Sequence, residues 1–317
     1  MNLELEQHSL VSIIIATYNQ SHKIGETLES VINQNYENWE CIIVDDKSTD
    51  DTKNVVHKYC EKDSRIKYYY SSKKVKKGPN AARNHGIDKS RGNLIMSLDS
   101  DDLLNERHLE FKVKAFEDNP DIDCVLSNTI LVDDSINEIK KENRTLLTNN
   151  LLEDFIVLKV SWYMHDTMWK KSFLEGKKLY NDDLFKMLDR DFHIRRLLEN
   201  PKIHHINKFL SYYRVYANSN SSNQDVNVLE SRHFAVINII KLLKKENKLS
   251  KKIAYFYLKF QIRNVVVFYK SKKCIPSYFE LIKHTFTFNF KNIIWVFRLI
   301  LAYLSFKLTD RGLVLVK

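Results

Sequence analysis

Through the first hundred positions, short runs of aliphatic and β-branched residues alternate with stretches that are apolar on one side only. Residues 10–16 (LVSIIIA), 39–44 (WECIIV), 65–70 (RIKYYY) and 93–98 (NLIMSL) predict four strands, and residues 24–33, 52–60 and 80–88 predict the helices between them. This alternation predicts a parallel sheet covered by helices and joined by right-handed crossovers. Farther along, 109–117 predicts a helix, 122–132 a strand pair or one extended segment, and the polar stretch 133–144 a surface loop. Residues 185–198 (FKMLDRDFHIRRLL) carry apolar positions at helical spacing, and 203–216 read as an extended or hairpin segment. From Ser231 onward the pattern is helical, with Phe234, Ile237, Ile240 and Leu243 on one stripe opposite Lys241, Lys244 and Lys245.

Of the 317 residues, 44% are hydrophobic and 12% aromatic, enough for a substantial core and too many for a disordered chain. Six glycines and four prolines leave no flexible, low-complexity linker to mark a domain boundary. Cys41, Cys60, Cys124 and Cys274 are far apart with no CxxC pair, which argues against a zinc site or a disulfide framework and for a reducing compartment. The opening MNLELEQHSL has Glu4 and Glu6 in place of a basic stretch and an apolar run, so the expectation is a cytoplasmic protein without a secretory signal.

The net charge of +10 first suggests nucleic acid, but its distribution argues otherwise. Residues 1–229 hold 32 Lys and Arg against 36 Asp and Glu, whereas residues 230–317 hold 18 against 4, a local charge of +14. The larger, acidic part would repel a phosphate backbone, and the basic tail has neither zinc-finger spacing nor an RNP-like aromatic motif. Nucleic acid is therefore not an expected partner.

Ligands of parallel α/β sheets sit outside the carboxyl ends of the strands. Here those ends read Thr17-Tyr18-Asn19, Asp45-Asp46-Lys47-Ser48 and Asp99-Ser100-Asp101-Asp102. Like charges gathered at one edge are unfavourable unless they share something positive, and a hard divalent cation, Mg²⁺ or Mn²⁺, suits carboxylate and phosphate oxygens. The plainer alternative is an acidic turn in which Asp101 or Asp102 caps a helix. Likewise Asp46 alone could cap the helix beginning near Asp50, and Arg83 alone could be a solvated helix residue.

Taken together, VSIIIATYN, IIVDDKSTDDT, GPNAARNHGI and LIMSLDSDD, in that order, resemble the family 2 glycosyltransferases with the GT-A fold. LDRDFHIR from Leu188 resembles the family's acidic motif, and LSYYRVYANSNSS from Leu210 its closing YRxHxxSxS segment, so the resemblance spans roughly residues 10–222. In this chain Leu188 stands where the family usually has Glu, and Tyr216 where it usually has His.

The resemblance implies an α/β, Rossmann-like catalytic domain over residues 1–229, with a mostly parallel central sheet and flanking helices. The nucleotide sugar would bind to about 10–105 and the acceptor to about 106–229, and a helical, basic region would follow over 230–317. Asp46 matches the aspartate that holds the nucleotide base, and Thr17, Tyr18 and Asn19 match the segment lying against base and ribose. Arg83 matches the basic residue lining the nucleotide pocket, and Asp99 with Ser100 opens the DxD motif near the ribose. Asp101 matches the carboxylate that holds Mn²⁺ or Mg²⁺ against the diphosphate.

Asp189 matches the general base, with Asp191 as its rival and Arg195 and Tyr216 as secondary candidates; the alternative is that Asp189 pairs with Arg190, Arg195 or Arg196 on a surface helix. A single base with direct displacement implies inversion at the anomeric carbon. His165, His204 and His205 have no spaced partners and are set aside as surface or core-edge residues.

The expected activity is transfer of a sugar from a nucleotide-diphosphate donor, a UDP-sugar, to a saccharide or lipid-linked acceptor in bacterial surface polysaccharide synthesis, capsule or lipopolysaccharide. A sugar-nucleotide nucleotidyltransferase is the rival enzyme class, but it needs a Gly-rich phosphate loop that ATYNQSHKIG does not supply. Residues 293–306 (IIWVFRLILAYLSF) are too short for a membrane-spanning helix, which needs about 20 residues. With the +14 charge they read as a surface lying on the inner, anionic face of the cell membrane, or alternatively as a helical hairpin packed on the catalytic domain.

Overall fold

A computed structural model describes residues 9–71, 78–216, 226–257 and 259–260. The first half alternates β1 (Val11–Thr17), α1 (Ile24–Ile32), β2 (Trp39–Asp45), α2 (Thr52–Lys62), β3 (Ile66–Tyr70), α3 (Pro79–Lys89) and β4 (Leu94–Asp99). There follow β5 (Leu103–Leu104), α4 (His108–Asp118), β6 (Cys124–Val132), β7 (Glu138–Lys141), α5 (Leu151–Ile156), a 3₁₀ turn at Met164–Asp166, β8 (Thr167–Lys170), α6 (Lys171–Leu174), α7 (Leu188–Leu197), β9 (Ile203–Arg214) and α8 (Val226–Lys245).

Among the described residues nine strands form one sheet in the order β3-β2-β1-β4-β8-β6-β9-β5, with β7 added beside β6. β1 runs parallel to β2 and β4, and β2 parallel to β3. Because helices cover both faces, Val11, Ile13, Ile14 and Ile15 are all fully buried, and so are Cys41, Ile42, Ile43 and Val44. β8 enters antiparallel between β4 and β6, which makes the sheet mixed.

α3 packs closely on β1 at Gly86. A Cβ there would lie 2.5 Å from Ile14 Cγ2, on a buried β-branched side chain with little rotamer freedom to yield. Gly86→Ala is expected to cost ~1–3 kcal/mol through overpacking. A urea titration checks it: the midpoint should fall at unchanged slope, and an unmoved midpoint would refute the tight approach.

The later part of the chain departs from the sequence pattern in several places. Residues 124–132 form one strand and 203–214 one twelve-residue strand parallel to it, the extended alternative of each expectation. The stretch 133–144 is not loop throughout, because the four exposed residues of β7 pair with Ile130, Leu131 and Val132. The helix expected from 185 begins at Leu188.

The described residues divide into two compact units, the second comprising residues 152–158, 184–187 and 226–257, whereas the sequence pattern places one division at 229. Within this second unit α8 buries Ala235, Val236, Ile237, Ile239, Ile240 and Leu243, while Phe234, expected on the apolar stripe, is 43% exposed. Ser250 Oγ and Lys252 Nζ both donate to the Glu153 carboxylate, at 2.6 and 2.7 Å. No helix among the described residues is long and apolar enough to cross a membrane. The apolar run 293–306 lies outside the described residues.

Candidate active site

The chain runs outward from β1 through β2 to β3 and then returns to add β4 on the other side of β1. This reversal of strand order opens a crevice at the carboxyl ends. Register places Thr17 beside Asp45 and Ala16 beside Asp99, so three of the strand-end motifs meet at one edge. Two loops there are stitched together. The Asp46 amide donates to Thr17 O at 2.8 Å, the Asn19 amide to Ser48 Oγ at 2.9 Å, and the Thr49 amide to Asn19 Oδ1 at 2.8 Å. Asn19 adopts φ +52°, a turn conformation that Asn tolerates. Thr17 is buried, whereas Tyr18 stays 44% exposed on the rim.

The adjacent aspartates separate by role. Asp45 is buried and accepts from the Ser48 amide and the Tyr68 hydroxyl, both at 2.7 Å, which locks the end of β2. Asp46 Oδ2 accepts from the Gly78 amide at 2.8 Å, which draws the start of α3 toward the crevice. The helix at 52 is served instead by Asp50, whose Oδ1 accepts from the Thr52 amide at 3.0 Å.

Arg83, on α3, is buried rather than solvated, and its Nη2 lies 2.6 Å from Asp99 Oδ1, a carboxylate about one third exposed. Removing the guanidinium leaves Asp99 without its charged donor, so Arg83→Ala is expected to lower stability by ~1.5–3 kcal/mol, the range for a hydrogen bond to a charged group. Chemical denaturation measures it, and an unchanged midpoint would mean the pair contributes nothing.

The DSDD turn crowds charge. Ser100 is buried and its carbonyl accepts from Thr27 Oγ1 at 3.1 Å. Asp101 is pushed up to about 7, first by burial and then by Asp102 and Asp99, against the pull of the Tyr216 hydroxyl bonded to it. Asp102 is buried, accepts from the Arg214 amide at 3.0 Å, and its other oxygen lies 3.1 Å from His165 Nδ1. Among the described residues no group of three or more His, Cys, Asp or Glu side chains is arranged to hold a metal.

Asp189 lies in the first turn of α7 and is partly buried. Burial and then Asp99 push its carboxyl up to about 6, with Arg83 and His165 pulling the other way. Among the described residues Arg195 and Arg196 pair with Asp191 and Glu199 instead of with Asp189. Asp191 is buried on the other side, accepting from Arg195 Nε and Nη2 at 2.8 and 3.2 Å.

Three residues without a sequence expectation tie these parts together. Tyr180 is fully enclosed, hydrogen-bonded to Ser97 at 3.0 Å and stacked on Phe192 of α7 at 4.6 Å. Asn84 donates to Tyr180 O at 3.0 Å and Asp182 Oδ1 at 2.7 Å, and Asn80 donates to Asn181 O at 2.7 Å. The two Asn are four positions apart on α3, and that spacing was the available signal. His165, set aside on sequence grounds, is instead fully buried against Asp102.

The family model for Glycosyl transferase family 2 matches residues 12–218. The chain belongs to the family 2 glycosyltransferases. An uncharacterised glycosyltransferase of Methanocaldococcus jannaschii is 31% identical over 65% of this chain and 71% of its own length. A Campylobacter jejuni relative named GalNAc(5)-diNAcBac-PP-undecaprenol β-1,3-glucosyltransferase is 25% identical over 96% of this chain and 91% of its own. Other family members are much longer, and the chain covers only 17% of them. Among solved structures, S. aureus TarS 1–349 in complex with UDP-GlcNAc shares the fold with a TM-score of 0.62 and 21% identity, covering 86% of this glycosyltransferase and 79% of that chain. The fold is thus of the GT-A type.

Proposed function

We propose that this glycosyltransferase moves a sugar from a UDP-sugar to a hydroxyl of a saccharide or lipid-linked acceptor, with inversion, during bacterial surface polysaccharide assembly. The observation that carries the reading is the meeting, at one sheet edge, of Asp46, the Arg83–Asp99 pair and Asp101 with Asp189, whose raised carboxyl suits a proton acceptor working near neutral pH. The UDP-GlcNAc held by the TarS neighbour and the undecaprenol-linked acceptor in the Campylobacter relative's name support donor and acceptor classes.

In this reading Asp46 receives the base, Thr17, Tyr18 and Asn19 flank base and ribose, Arg83 lines the nucleotide pocket, and Asp99 and Ser100 border the ribose. Asp189 takes the proton of the acceptor hydroxyl as that oxygen attacks the anomeric carbon from the face opposite the leaving diphosphate. A Mn²⁺ or Mg²⁺ ion fits beside Asp101 as a single carboxylate ligand, because Arg83 and His165 face Asp99 and Asp102 whereas Asp101 is met by the neutral Tyr216 hydroxyl. Asp101 would hold it, with donor phosphate oxygens completing the shell, and the ion would supply neutralisation of the departing diphosphate.

The test is thermal shift with a panel of nucleotide sugars and Mn²⁺. A UDP-sugar at 100 times its Kd should add about 2.7 kcal/mol of stability; no shift with any nucleotide sugar would overturn the assignment. The catalytic part is taken as residues 1–229. The cytoplasmic protein is held peripherally by residues 230–317, whose +14 charge favours anionic lipid. Flotation with phosphatidylglycerol vesicles should recover the full chain at low salt and lose it at high salt; salt-independent recovery would refute the electrostatic attachment.

A further inference from the structure

The turn that carries Asp101 is anchored from behind by a histidine that the donor-site reading leaves without a task. Asp102 closes this turn, its amide donating to Asp99 O at 3.2 Å. One of its oxygens accepts from the Arg214 amide of β9, and the other faces His165 Nδ1 at 3.1 Å, close but not aligned as a hydrogen bond. The imidazole Nε2 lies 3.3 Å from Thr129 Oγ1, a hydroxyl that also touches Asp166 and Ser211. Asp166 is fixed by Arg144 Nη2 at 2.8 Å and by the Tyr163 amide at 2.7 Å. Buried Lys112 donates to the carbonyls of His165 and Asp166 at 3.2 and 2.7 Å, and the Tyr163 ring stacks on the imidazole at 5.4 Å.

We propose that His165 is a positioning residue of the donor site: paired with buried Asp102, it fixes the Asp99–Asp102 turn so that Asp101 is presented to the diphosphate and its divalent ion. The inference rests on the reading of Asp101 given above. Its physical basis is the cost of a buried carboxylate. With both Asp99 and Asp101 next to it, Asp102 has the His165 ring nitrogen 3.1 Å away, and removing the imidazole leaves either a buried carboxyl oxygen facing a void or a turn that must open toward water. Either outcome displaces Asp101. Groups that orient an ion's ligand from behind typically contribute 10–100-fold to metal affinity.

Calorimetry of UDP binding to the full-length protein, with and without Mn²⁺, tests this. His165→Ala is expected to weaken UDP binding 10- to 100-fold in Mn²⁺ and to leave the metal-free affinity within about twofold. His165→Asn, whose amide nitrogen lies close to the place of Nδ1, should recover at least part of the loss. The H165A/D102N double variant should bind no worse than H165A, because the two residues act as one unit. In kinetics the KM for donor should rise more than kcat falls.

Equal loss of UDP affinity with and without metal would reduce His165 to a structural residue and overturn the proposal, as would H165A binding UDP–Mn²⁺ like the parent. Should H165A fail to fold, H165N against D102N carries the same comparison. Asp101→Ala separates the two readings. If it abolishes the Mn²⁺ effect while H165A does not, only the role of His165 falls; if it changes nothing, the assignment of Asp101 falls and this inference with it.

Discussion

Replacing Asp189 by Asn is expected to leave UDP-sugar binding intact and to lower turnover by roughly 10²- to 10⁴-fold, the effect of losing a positioned base. The isostere keeps shape and removes only the proton acceptor. Asp191, two positions on, is turned by about 200° around the helix axis and is occupied by Arg195 at 2.8 Å. Asp191→Asn should therefore cost stability while changing turnover only a few-fold. The pH profile supplies an independent check. A base works when deprotonated, and with the Asp189 carboxyl pushed up to about 6, kcat at saturating donor should fall as pH drops through that value. Arg83 pulls this carboxyl down, so Arg83→Gln should move the acid limb to higher pH. An unshifted limb in Arg83→Gln, or a nearly active Asp189→Asn beside a folded but inactive Asp191→Asn, would assign the base elsewhere.

The parallel half was legible because its strands are buried on both faces. Runs such as SIIIA and CIIV cannot be solvated on either side, and the turn residues that bound them fall at the sheet edge where ligands bind. The second half was less legible because its strands owe their pairing to distant chain. β6 and β9 lie parallel although some seventy residues separate them in sequence, and EIKK of β7 has no apolar alternation and is extended only because β6 offers an edge. Phe234 was misplaced for a geometric reason. Steps of three residues drift by about 60° each, so Phe234 and Leu243 point to opposite sides of α8, and one is exposed while the other is buried. His165 carried no local signal at all, since its partner Asp102 reaches it only because β8 inserts next to β4. The same holds for Tyr180, which is defined by the contact of α3 with the segment leading into α7.

Asp101→Asn should abolish the Mn²⁺ dependence of UDP binding and reduce turnover by roughly 10²- to 10³-fold, the scale for losing one group that stabilises developing charge. It should also make the ligand-free protein more stable. Burial and the carboxylates of Asp102 and Asp99 push the Asp101 carboxyl up to about 7, so its ionised form is held at a cost in the folded state that the unfolded chain does not bear. An acid whose folded-state value is raised destabilises most above that value, and the penalty fades as pH falls from about 7 toward the ordinary carboxylate range. The neutral amide removes the penalty where it is largest. Melting temperatures of the two proteins without metal should therefore differ most at pH 8, with the variant higher, and converge by about pH 4. Addition of UDP with Mn²⁺ should reverse the order by stabilising only the parent. A variant less stable than the parent at pH 8, or one still stabilised by UDP only when Mn²⁺ is present, would show that Asp101 holds the turn together and does not face the diphosphate.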